Sequence, residues 1–145
     1  MTVLFPANTT ALITGGASGV GYAMAEAFAA AGAQPHVVDV DEALLAACPA
    51  NWGQSCFDVT DEAAIAALYA ELGEVHILCA NAGVAGPTAP VEDISLDDWR
   101  ACTAVNLAAA FLFANHAAPG MESRGAVSIS FPSSAACMHG YSNLS

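Results

Sequence analysis

Positive charge is almost missing from this chain: its 145 residues include no lysine and two arginines, Arg100 and Arg124, against fourteen acidic residues, for a formal net charge of −12. Proteins grip nucleic acid and anionic membrane surfaces by placing Lys and Arg on phosphate, so neither is expected as a partner. An anionic ligand would have to be held mainly by backbone N–H groups. The acidic surface itself reads as an aid to solubility. Paired cysteines are missing too. The five present, Cys48, Cys56, Cys79, Cys102 and Cys137, form no C-x-x-C and are odd in number, which argues against a disulfide framework or a zinc site. They read as reduced, mostly buried small residues. The four histidines, His36, His76, His116 and His139, show neither H-x-H nor H-x-x-x-H spacing, so no metal is expected. Long apolar runs are lacking: the most apolar helical stretch, Leu107 to Ala118, is short for a bilayer and carries Asn115 and His116. Met1 to Asn8 has neither the basic nor the long apolar region of a secretory signal, and a cytoplasmic location is expected. There is no internal repeat, low-complexity tract or interdomain linker.

What the chain does have is 56% apolar residues over a length sufficient for one domain with a sizeable core. Strand and helix patterns alternate throughout. Strands are predicted near Ala11 to Thr14, His36 to Val40, Ser55 to Phe57, Val75 to Ala80 and Ala126 to Phe131. Helices are predicted over Gly19 to Ala31, Asp41 to Ala47, Asp61 to Leu72 and Leu96 to Ala118. Ser95, with Asp98 in capping-box spacing, opens the last helix, and Pro119 and Gly120 are predicted to close it. Gly83 to Ser95, with two prolines, reads as a loop. The alternation predicts an α/β fold, a doubly wound parallel sheet of Rossmann type, as a single domain over residues 1–145.

The most informative segment is Thr14-Gly15-Gly16-Ala17-Ser18-Gly19-Val20-Gly21, a glycine-rich turn between the apolar run Ala11-Leu12-Ile13 and a helical pattern of Val20, Met24, Ala27, Phe28 and Ala31. Glycines admit a pyrophosphate close to the backbone, and the unpaired N–H groups of the helix start attract its charge. The glycines are spaced G-x-x-x-G-x-G, and no lysine follows that would make a triphosphate P-loop. With the threonine in front, this motif resembles the short-chain dehydrogenase/reductase family. The resemblance continues down the chain, in the family's order, through Asp39 after the second strand, Asp58-Val59 after the third, Asn81-Ala82-Gly83 after the fourth, and Asn106 in the long helix.

Asp39 carries a physical expectation of its own. A carboxylate there accepts hydrogen bonds from both ribose hydroxyls and repels a 2′-phosphate, and its neighbours Val38, Val40 and Asp41 offer no cation to offset that repulsion. NAD(H) is therefore expected over NADP(H), unless Asp39 is simply a helix cap. The resemblance implies that Thr14, Gly15, Ser18, Gly19, Val20 and Gly21 meet the cofactor's phosphates, that Asp58 and Val59 meet the adenine, and that Asn81, Ala82 and Gly83 lie along the cofactor, Asn81 also fixing the sheet. It implies a catalytic asparagine at Asn106, which reads otherwise as a satisfied buried amide. It also implies a serine that polarises the substrate carbonyl at Ser134, with Ser133 as the alternative. The implied activity is NAD(H)-dependent interconversion of a small-molecule alcohol and ketone. A homo-oligomer is implied as well, packed through the Leu107 to Ala118 helix.

The chain departs from the pattern at its end. The family's Y-x-x-x-K would begin just beyond Ser145 counted from either serine, and Tyr141 is followed by Ser145 where that motif requires lysine. The apolar edge Val127, Ile129 and Phe131 would be covered in the family by later elements. The expectation is thus the N-terminal portion of a longer enzyme, with a non-catalytic NAD-binding module or inactive fragment as the rival reading.

Overall fold

The computed structural model describes residues 5–6, 8–126 and 128–134. Five parallel strands, β1 (Thr10–Thr14), β2 (Gln34–Asp39), β3 (Gly53–Cys56), β4 (Ile77–Cys79) and β5 (Ile129–Ser130), lie in the order 3-2-1-4-5. Helices α1 (Gly19–Ala30), α2 (Glu42–Ala46), α3 (Glu62–Leu72), α4 (Leu96–Thr103) and α5 (Ala109–Arg124) connect them. Since successive strand residues face opposite sides, the central strand feeds two cores at once. Ala11 and Ile13 join Val37, Ile77 and Cys79 beneath α1, with Ala25 and Trp52. Leu12 joins Val38 and Leu78 against Ile65 and Leu68 of α3 and Phe113, Ala117 and Met121 of α5. Burial on both faces is why β1 reads as an unbroken apolar run. Each fully buried Leu, Ile or Phe contributes on the order of 2 kcal/mol from apolar burial. Tyr69 of α3 ties the two outer helices together by donating to the Phe113 carbonyl at 2.8 Å.

The predicted Ser95 cap forms, and Asp41 and Asp61, predicted as the first residues of their helices, prove to be caps as well. Asp41 and Asp61 accept from the Leu44 and Ala64 amides, each at 3.0 Å, at the starts of α2 and α3. Ser95 Oγ accepts from the Asp98 amide at 3.1 Å, while the Asp98 carboxylate turns back onto the Ser95 hydroxyl at 2.5 Å.

Two expectations need correction. The long helix does not end at Pro119 and Gly120: α4, a π-helical segment Ala104–Ala108 and α5 run on as one helix of 29 residues, Leu96–Arg124. By length and composition it is long and apolar enough to cross a membrane, whereas the sequence pattern marks a much shorter stretch. An interior proline costs about 3 kcal/mol through its lost N–H and its clash with the previous turn. Here the turn beyond it is anchored by buried Met121 and by Arg124 Nη2 donating to the Val75 carbonyl at 2.6 Å. Gly125 then ends the helix in a left-handed conformation (φ 67, ψ 20). Its amide donates to the Glu122 carbonyl at 2.9 Å and the Ala126 amide to the Met121 carbonyl at 3.2 Å, a Schellman closure. The second correction is to β5, which is shorter than the predicted Ala126 to Phe131; of its expected apolar edge, Ile129 is half-buried, Phe131 is exposed and Val127 lies outside the described residues.

Buried His36 on β2 is held by its Nε2 against Ser55 Oγ of β3 at 2.8 Å. Opposite it stands Gly53, where a Cβ would collide with the imidazole ring. Burial pushes the His36 pKa below 6.5, outweighing the opposing pull of Glu71. The unfolded chain therefore takes up the proton first, and stability present above pH 6.5 is lost as the pH falls through the depressed folded value. Chemical denaturation of the protein between pH 7.5 and 5 is expected to show a falling midpoint, and His36→Gln is expected to flatten that slope. Gly125→Ala is expected to cost about 1 kcal/mol in the same assay at neutral pH, because alanine resists the left-handed conformation.

Candidate functional site

The strand order reverses between β1 and β4, so the segments leaving their carboxyl ends diverge and open a crevice. Four strand ends line a cleft of about 470 Å³ there. The β1–α1 turn contributes Gly15, Ser18, Gly19 and Val20; Asp39 and Val40 follow β2, and Asp58 and Val59 follow β3. Asn81, Ala82, Gly83 and Val84 follow β4, and Val105 reaches in from the π-helical segment. Of the candidate cofactor residues, all but Thr14 and Gly21 line this one cleft.

Those two stand behind its wall. Thr14 is buried, and its Oγ1 accepts from the Asn81 and Ala82 amides at 3.0 and 2.9 Å. The Asn81 side chain completes the tie, its Nδ2 donating to the Thr14 and Gly15 carbonyls at 3.1 and 3.3 Å. Gly21 packs so closely under the turn that a Cβ would collide with the Gly15 carbonyl. Gly16, which the motif contains but the site prediction left out, has the same function: its amide donates to the Val38 carbonyl at 3.2 Å, and a Cβ would come within 2.7 Å of Val37 Cγ1.

Gly19 differs from these. It has φ +54, and a Cβ built on it meets nothing within 4 Å. It opens α1, whose N-cap Ser18 makes no side-chain capping bond and whose first turn carries no acidic residue. The starts of α2, α3 and α4 are each closed by a capping side chain and followed by acids. The start of α1 thus presents uncapped N–H groups and the positive end of the helix dipole at the cleft, with room beside Gly19 for an anion.

Asp39 is not a helix cap, since that task falls to Asp41. Its Oδ2 accepts from the Ala17 amide at 3.2 Å, and its Oδ1 from the Val40 and Asp41 amides at 2.9 and 3.2 Å. The carboxylate therefore pins the glycine-rich turn to the end of β2. Asp58 accepts at Oδ1 from the Thr60 amide and hydroxyl, at 2.9 and 2.8 Å. These bonds hold its carboxyl below the usual range and leave Oδ2 for another donor. Val40, Val59, Val84 and Val105 add apolar surface. Of these, Val40, Val84 and Val105 were not predicted; the position of Val40 directly after Asp39 and of Val84 directly after Gly83 was the available signal for the first two.

Asn106 and Ser134 do not line the cleft. Asn106 lies within the π-helical segment, a widened turn that often marks functional sites. Its Oδ1 accepts from the Val84 amide at 2.7 Å, and its Nδ2 donates to the Val84 carbonyl at 2.8 Å. Its amide is satisfied but not buried: Asn106 lies at the surface, correcting the expectation of a buried amide. Ser133 and Ser134 are exposed beyond β5. Tyr141, Cys137 and His139 lie outside the described residues. Among the described residues no group of three or more His, Cys, Asp or Glu side chains could hold a metal ion.

Comparison with known proteins agrees with this geometry. The short chain dehydrogenase family profile matches residues 9–145. D-threitol dehydrogenase of Mycolicibacterium smegmatis is 40% identical over 139 residues, covering 87% of this chain and 53% of that protein. Cis-4-hydroxycyclohexanecarboxylate dehydrogenase of Sinomonas cyclohexanicum is 35% identical over 133 residues, covering 85% of this chain and 53% of its own. The crystal structure of levodione reductase superposes with a TM-score of 0.87 at 28% identity, covering 96% of this chain and 59% of that one. The chain spans about half the length of the curated relatives it matches. With a family profile matching nearly its whole length and the glycine turn, Asp39 and Asn81 gathered at one switch point, the chain belongs to the short-chain dehydrogenase family.

Proposed function

We propose that this chain forms the NAD(H)-binding half of an oxidoreductase that interconverts a small-molecule alcohol and ketone. The observation that carries the reading is the open, uncapped start of α1 beside Gly19, facing a cleft that also presents Asp39. When bound, the cofactor would supply or accept the hydride through its nicotinamide.

The chain's own residues bind and orient. The backbone N–H groups of the α1 start hold the pyrophosphate, which a chain this poor in Lys and Arg cannot hold by side-chain charge. Asp39 takes the ribose hydroxyls and disfavours a 2′-phosphate, since every ionisable side chain lining the cleft is acidic. Val40 and Val59 bracket the adenine, with Asp58 Oδ2 free to accept from its amine. Ala82 and Gly83 keep the floor shallow, and Asn106 steadies Val84 beside them. Ser134, after β5, is the candidate donor to the substrate oxygen. The exposed Leu107 and Phe111 on the outer face of the long helix support self-association.

Proton transfer in this family uses a tyrosine whose pKa a lysine lowers. These 145 residues contain no lysine, so turnover concerns a protein in which that pair is supplied beyond them. A second reading, resting on the cleft that these residues form by themselves, is a module that binds NAD(H) without turnover. In a protein that joins these residues to such a tyrosine and lysine pair, NADH titration followed by assay of a cyclic ketone with NADH and of a diol with NAD+ separates the two: binding with turnover supports the first, and binding alone the second. The absence of any NADH binding would sink both.

Asp39→Ala is expected to weaken NADH binding about tenfold, the loss of one or two hydrogen bonds to a charged acceptor, and to narrow the preference over NADPH. An unchanged preference in a variant that still binds would remove Asp39 from the site. Gly19→Val is expected to lower NADH affinity by at least about tenfold, because its side chain would fill the space left for the phosphates and strain a left-handed residue. Isothermal titration checks both, and retained affinity in the valine variant would put the phosphates elsewhere.

A further inference from the structure

The wall of the cleft at Gly83 and Val84 belongs to an exposed loop, held from one side by the π-helical segment. An asparagine amide offers two N–H donors and two acceptor positions. In Asn106 the Val84 backbone takes one of each, at 2.8 and 2.7 Å, which settles which way round the amide stands. The second N–H of Nδ2 points to Cys102, whose Sγ accepts it at 3.4 Å. The same sulfur lies 4.0 Å from the Val84 carbonyl. It also sits against Gly86, at φ +69, where a Cβ would come within 3.0 Å of Sγ. One half-buried thiol therefore touches the amide that clamps the loop, the residue that is clamped, and the loop's next turn.

We propose that Cys102 is a positioning residue: its sulfur accepts the remaining N–H of the Asn106 amide and holds that amide, and through it Val84, at the wall of the cleft. Cys102 and Asn106 are four residues apart, on adjoining turns of one helix, so the acceptor and the amide it steadies move together. Removing the acceptor leaves the donor to compete for water and frees the loop at both Val84 and Gly86. The effect reaches the cofactor because Gly83 and Val84 line its cleft, a consequence that rests on the cofactor reading above.

Hydrogen exchange at the Val84 amide tests the latch without any ligand, because that N–H is the one bound to Asn106 Oδ1. Cys102→Ala is expected to speed its exchange at least about fivefold, and to raise the NADH dissociation constant about threefold, as local opening becomes easier. Cys102→Ser keeps an acceptor and is expected to stay within about twofold of the parent in both. The Leu78 amide, bound to the Ser128 carbonyl at 2.9 Å in the sheet, reports global stability and is expected to be unchanged. The proposal is overturned if alanine leaves Val84 exchange unaltered, if serine behaves like alanine, or if Leu78 accelerates equally. Should the parent protein bind no NADH, the cofactor reading fails on its own, while Val84 exchange still decides the latch.

Discussion

The whole cleft depends on one tie, between the ends of β1 and β4. At a switch point the two chains part to opposite faces of the sheet, and nothing in the ladder itself holds their ends together. Buried Thr14 supplies that link by accepting two amides from Asn81 and Ala82, and the Asn81 side chain returns two bonds to the Thr14 and Gly15 carbonyls. The Ala82 amide and the Thr14 and Gly15 carbonyls gain partners, and the Asn81 amide, which also donates to the Cys79 carbonyl at 2.9 Å, gains a second; a backbone group buried without any partner costs about 1–3 kcal/mol. The bonds also set how far the glycine turn stands from the floor of Ala82 and Gly83, so they set the width of the cavity. Asp39 carries the arrangement across to β2 by bonding the Ala17 amide.

A second constraint is electrostatic. Under the proposed function, an acidic chain with two arginines attracts a polyanion without cationic side chains in the cleft. Arg100 is paired with Asp97 on the surface, and Arg124 serves the Val75 carbonyl beyond the last turn of α5. What remains is backbone. Closing the starts of α2, α3 and α4 with Asp or Ser while leaving that of α1 open concentrates uncapped N–H groups where the strand order reverses. Attraction built this way is short-ranged and directional, which suits a phosphate group lying against the turn.

The long helix joins the core to the cleft. Ala109, Phe113, Ala117 and Met121, at intervals of four, bury its lower half against the sheet. Its upper half carries no buried residue and instead contributes Val105 to the cleft and Asn106 to the loop. The π-helical turn lies at the junction. A wider turn of this kind is frequent where a helix borders a functional site.

Much of this was readable in the chain itself, because the deciding physics is local. Strand and helix periodicity, the Asp41, Asp61 and Ser95 caps and the glycine turn all act within a few residues, and the parallel α/β layout follows from their alternation. That most of the candidate residues would meet in one cleft was legible for the same reason: each sits at a strand end, and the fold class puts those ends together. Other features were decided by partners distant in sequence. Pro119 is tolerated inside the helix because Met121 is buried against the sheet and Arg124 reaches Val75. Thr14 and Gly21 stand behind the cleft rather than on it because Asn81 and the Gly15 carbonyl fill the space beside them. Cys102 gained its place through a loop that only the tertiary fold brings to it. Local sequence determines which elements form and which backbone groups are left open; which side chain meets those groups depends on packing between residues tens of positions apart.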